Sequence, residues 1–196
     1  MPASSAGCWR ARRRPSLLDR PQWGAASNGL RMGISASQVN PANGVTFDVQ
    51  LENVGTDDFI LNLGHMLANG KVMFPDAVRL VLTRADDFSC ELHYFDRRYP
   101  GVAGRVDDFI VALRGGSTYT LRLAGERLWC RETMAFQTTL APGEYRVVGR
   151  FKGQGVIAGQ SDRRGVTLLN FWTVVVESTP ASFEVTGRHG CQDPSA

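Results

Sequence analysis

Cys90-Glu-Leu-His93 spaces a thiol and an imidazole as zinc ligands are often spaced, and His189-Gly-Cys191 repeats the same two residue types. A structural zinc site joins two tight ligand clusters. Here the second pair falls near the C-terminal end, so the plainer reading is one strand-end thiol and one surface histidine, with no metal or cofactor. Asp57-Asp58-Phe59, Asp86-Asp87-Phe88 and Asp107-Asp108-Phe109 offer paired carboxylates of the kind calcium needs. Their spacing is irregular, and aspartate before a strand is ordinary turn chemistry. His65, His93 and His189 are the histidine bases, but no Gly-x-Ser-x-Gly elbow accompanies them. There is no phosphate loop and no dinucleotide fingerprint. Two carboxylates acting as in glycosidases remain an open enzymatic reading, with no spacing to support it.

The aromatic residues Phe95, Tyr99 and Trp129 lie in or beside expected loops, where they could form a platform for a sugar or a peptide. The plainer alternative has Trp129 capping the core and Tyr99 anchoring its loop. Arg163-Arg164 adds a basic pair in a Gly-rich loop, and Trp172, inside an apolar run, reads as core.

These residues need a scaffold, and the chain supplies one in strands. Val45, Phe47, Val49 and Leu51 alternate with Thr46, Asp48, Gln50 and Glu52, which is the period of a half-buried strand. The same alternation runs through Leu30–Ala36, Val78–Arg84, Tyr119–Leu123 and Tyr145–Phe151. Pro142-Gly143 and Asn69-Gly70 mark turns between strands. Phe59–Gly64 is expected to return antiparallel after Val45–Asn53, and Val106–Leu113 to be a short edge strand. Phe171–Val176 reads as a strand buried on both faces. Gly125–Glu132 is the one plausible short helix, and Lys152–Gly165 a mobile loop.

The 196 residues suit a single sandwich with extensions. The net charge is +3, yet Arg10, Arg12, Arg13, Arg14 and Arg20 cluster near the N-terminus, leaving the body close to neutral. No basic stripe of the kind a nucleic-acid binder needs is present, and no apolar run is long enough for a membrane helix. No export signal is visible, which leaves the compartment open and makes free thiols the expectation for Cys8, Cys90, Cys130 and Cys191, with a Cys90–Cys130 bridge as the alternative.

The expected organisation is a disordered basic tail over 1–22, one domain over 23–187 and a C-terminal tail over 188–196. The fold class is all-β: an antiparallel β-sandwich with one short helix and disordered termini. Trp23-Gly24, Asn28-Gly29-Leu30, Val49–Asn53, Leu140-Ala-Pro-Gly-Glu-Tyr145, and Phe171-Trp172 followed by Glu177-Ser178 and Phe183-Glu-Val185 give the body its likeness. It resembles the uncharacterised immunoglobulin-like domains of bacterial exported proteins, and more distantly the intracellular proteinase-inhibitor sandwiches. The resemblance implies an immunoglobulin-like sandwich and carries over no catalytic residue. The expected function is a non-catalytic binding or accessory module working through its loops or an edge strand. Its partner would be a protein or a polysaccharide, not nucleic acid. A hydrolase with carboxylates at one end of the sandwich, or a protease inhibitor, is the alternative.

Overall fold

Alternation of apolar and polar side chains turns one side of each strand toward a shared core. In the computed structural model, which describes residues 20–40, 44–67, 70, 72–94, 105–136, 140–157 and 170–185, these segments form fourteen strands. A four-stranded sheet runs β1 (Gln22–Trp23), β2 (Leu30–Asn40), β3 (Gly44–Asn53), β9 (Thr118–Ala124). A seven-stranded sheet runs β11 (Ala135–Phe136), β10 (Leu128–Cys130), β7 (Ser89–Tyr94), β6 (Val78–Arg84), β12 (Gly143–Lys152), β13 (Val175–Glu177), with β14 (Ala181–Val185) also paired to β12. A three-stranded sheet holds β5 (Val72–Phe74), β4 (Phe59–Leu67) and β8 (Asp107–Leu113). Among the described residues all strand pairs are antiparallel, and one parallel bridge joins Ile60 to Phe171.

The fold is all-β and sandwich-like, because β2 packs across β12, β13 and β14. Met32 and Ile34 of β2 sit over Gly149 of β12, whose missing side chain leaves the room they fill. Phe47 of β3 meets Phe183 of β14 edge to face at 5.6 Å, and Phe183 stacks on Tyr145 of β12 at 5.5 Å. The Tyr145 hydroxyl donates to the Ala141 carbonyl at 3.0 Å and accepts from Arg84 Nη1 at 3.1 Å. Proline and glycine at 142–143 thus turn the chain, and the tyrosine ties the turn to the strand it starts.

Several expectations change. β4 does not return beside β3; it crosses to the three-stranded sheet. Asn53, fully buried, organises the crossing by donating to the carbonyls of Asp57 at 2.7 Å and Leu113 at 3.2 Å. The strand buried on both faces is β4, where Leu61, Asn62 and Leu63 are all buried, not Phe171–Val176. There Trp172 is buried against Phe151 while Val175 is exposed, because this segment bridges from Ile60 to Gly153 and only then joins β12. The expected helix shrinks to a 3-10 turn at Gly125–Arg127. Leu128–Cys130 is extended because Leu128 and Cys130 both point into the core, a spacing of two that a helix cannot bury on one face.

Cys90 and Cys130 are joined by a disulfide, which corrects the expectation of free thiols at these two positions. Adjacent pairing of β7 and β10 brings the two inward sulfurs together, a proximity invisible along the chain. Both expected tails fall largely outside the described residues. Among the described residues no helix is long and apolar enough to cross a membrane.

Candidate functional site

Strand register builds one continuous row across the outer face of the large sheet. Glu177 pairs with Arg150, Arg150 with Arg79, Arg79 with His93, and His93 with Trp129. Period-two geometry puts alternate residues of each strand on that face, and antiparallel pairing lines them up. Arg79 and Arg150 stand side by side, and each is matched by its own carboxylate. Arg79 Nη1 donates to Glu91 Oε1 at 2.7 Å, and Arg150 Nε forms an ion pair with Glu177 Oε1 at 2.8 Å. His93 Nε2 also lies 3.0 Å from Glu91 Oε1 but is not aligned for a hydrogen bond. The imidazole ring meets Trp129 edge to face, 6.0 Å between centroids. Trp129 remains partly exposed, at the end of the row.

Burial disfavours the charge on Glu91, but the Arg79 hydrogen bond and charge, with His93 and Arg131, outweigh it and hold the carboxyl below its usual value. The folded-state value is depressed, so its contribution to stability is present above the ordinary glutamate range and is lost as pH falls through the depressed value. A carboxyl NMR titration should therefore show Glu91 titrating below an unpaired glutamate of the same chain. A Glu91 midpoint at or above that reference would mean the Arg79 contact is absent in solution.

Apart from this row, a concavity of about 440 Å³ is lined by Thr83, Arg84, Glu144, Arg146, Ser182 and Glu184 among others. Glu144 and Glu184 are direct partners across β12 and β14. Arg84 closes one side, lying over the Tyr145 ring at 5.4 Å and chelated by Asp86, whose hydrogen bond raises the guanidinium's pKa.

Of the residues singled out as binding candidates, Trp129 is the one the fold places on this face. Phe95, Tyr99, Arg163 and Arg164 lie outside the described residues. Cys90 and His93 cannot share a metal: three residues apart on a strand, they point to opposite faces, Cys90 inward and His93 outward. His189 and Cys191 lie outside the described residues. The aspartate tripeptides do not converge. Asp58 stands at the start of β4, which pairs with Leu113, whereas Asp107 pairs with Met66 at the strand's far end. Asp86 and Asp87 belong to the β6–β7 turn of another sheet. Buried Asp108 instead accepts from Asn62 Nδ2 and from the Ile157 amide, both at 2.8 Å. Asn62 Nδ2 also donates to the Gly155 carbonyl at 2.7 Å, so the segment just after Gly153, expected as part of a mobile loop, is tied to β4.

Arg79 and Arg150 are members of the row that sequence reasoning did not single out, and it weighed His93 only as a metal ligand or a base. Alternation marked the two arginines as outward, but which strands stand side by side is a tertiary matter. No protein-family model matches the chain, and no curated protein is significantly similar to it. What the fold and this face define is a class: an antiparallel, sandwich-like all-β domain with a charged and aromatic sheet face.

Proposed function

We propose that this chain is a non-catalytic binding module of immunoglobulin-like type that engages a protein or a polysaccharide. The observation that carries the reading is the in-register row from Arg150 through Arg79 and His93 to Trp129. Its charges are held in fixed positions by carboxylate partners, and its aromatic end is partly exposed. A sheet face presents its side chains from a fixed backbone, which lowers the ordering cost of binding. Tryptophan and arginine are also the residue types on which binding energy concentrates. The Tyr145-to-Ala141 bond has the form of the tyrosine corner found in immunoglobulin-like sandwiches, which supports that part of the reading. The sandwich loops, and the edge of β9 left without a strand partner among the described residues, are the further surfaces such a module uses.

The crevice with Glu144 and Glu184 favours a second reading, a hydrolase acting through two carboxylates, because these direct cross-strand partners both line it.

Retention of the intact chain on lysate and envelope fractions of its source, protein and polysaccharide separately, tests both. Wild type is expected to hold one partner, and Trp129→Ala to weaken it by about 30-fold or more, the loss of a roughly 2 kcal/mol anchor. Binding untouched by Trp129→Ala and Arg79→Ala would overturn the assignment of the face. Glycoside turnover lost in Glu144→Gln would replace the module with the hydrolase.

A further inference from the structure

Away from that face, Cys90, Cys130 and Glu132 bring two sulfurs and a carboxylate oxygen within 4.8 Å of one another. Both cysteines are buried, Cys90 at 1% exposure and Cys130 at 0%, while Glu132 stands at the surface beside them. The Glu132 carboxylate is already oriented. Its Oε2 accepts the Glu91 backbone amide at 2.9 Å and lies 3.4 Å from Cys130 Sγ. A backbone N–H thus holds beside the sulfur pair the very carboxylate oxygen that would serve as a ligand.

We infer that the reduced form of this chain binds one zinc ion through Cys90, Cys130 and Glu132, so that the disulfide and the metal are alternative states of one site. The donor set selects the ion. Two thiolates favour a soft or borderline metal, and the carboxylate favours Zn²⁺ over Cu⁺. Zinc takes four ligands, so the fourth position belongs to water on the exposed Glu132 side, which is also the path of entry. A dithiol reductant cleaves the Cys90–Cys130 bond by exchange. Two electrons and two protons pass to the protein sulfurs, and the reductant becomes a disulfide. Zinc then displaces the two thiol protons as it binds. Oxidation of the bound thiolates by a small disulfide removes two electrons, reforms the bridge and releases the ion. The ligands come from neighbouring positions on the paired strands β7 and β10 and from the residues just after β10, so the site needs no new backbone arrangement.

The test uses the full chain carrying Cys8→Ser and Cys191→Ser, so that the remaining two thiols report alone. After anaerobic reduction, Co²⁺ serves as the spectroscopic probe and Zn²⁺ is titrated against a chromophoric chelator. The reduced chain is expected to take up one Co²⁺ with a thiolate-to-cobalt charge-transfer band and the visible bands of four-coordination, and the oxidised chain none. Zn²⁺ should displace the cobalt. Glu132→Gln, a surface change, should lower Zn²⁺ affinity at least about tenfold, a loss seen even for outer-shell changes. Cys90→Ser should abolish the charge-transfer band. Absence of uptake by the reduced chain, equal uptake by the oxidised chain, or an affinity unmoved by Glu132→Gln overturns the inference. So does loss of the β-sheet circular dichroism on reduction, because the ligands converge only while β7 and β10 stay paired.

Discussion

Phe47→Ala is expected to lower the free energy of unfolding by about 3–5 kcal/mol, the range for deleting a buried aromatic ring. Phe47 is 1% exposed and is the four-stranded sheet's contribution to a run of rings that crosses the sandwich. It abuts Phe183, which stacks on Tyr145, which meets Phe88 edge to face at 6.0 Å. Removing the first ring leaves a cavity between two sheets that are each braced by their own ladders, so the gap closes poorly. Urea unfolding should show a lower midpoint at unchanged slope, the mark of lost stability without a change in the surface exposed. A loss below about 1 kcal/mol would place Phe47 outside the inter-sheet core, since even modest cavities cost more. Trp129→Ala is the informative contrast: it empties a partly exposed position, so it should reduce binding far more than stability.

Gly64→Ala should be nearly as damaging, at roughly 3 kcal/mol or more, from two causes that add. Gly64 has φ +142°, a conformation that side-chain-bearing residues rarely adopt. A β-carbon there would also collide with Asp76 Oδ1 and the Phe74 carbonyl. The glycine sits in the irregular stretch between Asn62 and His65, where β4 slips in register against β8. Its amide donates to Asn62 Oδ1 at 3.0 Å, and Asn62 in turn reaches Asp108 and Gly155. Displacing it should therefore loosen the 154–157 segment as well. Hydrogen exchange at the Ile157 amide, which donates to Asp108, measures this directly. Gly116, with φ +72° but nothing near its would-be β-carbon, is the control: Gly116→Ala carries the backbone cost without the collision. Equal losses at Gly64 and Gly116 would show that backbone strain alone accounts for the effect.

The two positions differ in how plainly the chain announces them. Phe47 sits in the cleanest alternation in the sequence, and Val45, Phe47, Val49 and Leu51 are all buried as that pattern requires. The connection between β4 and β5 was legible in the same way: the sequence marked a turn there, the two strands pair, and Gly70 stands at positive φ. Asn28-Gly29, read in the sequence only as part of a family likeness, closes the Ser27–Leu30 turn with both residues at positive φ. Gly64 was opaque, because nothing local says that β4 will slip against β8.

Local chemistry along the chain settles which side chains face inward, where turns fall, and that the class is all-β. Each of these depends on residues a few positions apart, through the two-residue period of a strand and the backbone freedom of glycine. Strand neighbours were decided elsewhere. The crossing of β4 away from β3, the extended Leu128–Cys130 in place of a helix, the Cys90–Cys130 bond and the Arg150-to-Trp129 row all join segments far apart in the chain. Such pairings are chosen by the burial of whole sheet faces at once, a collective energy that no short stretch of sequence contains.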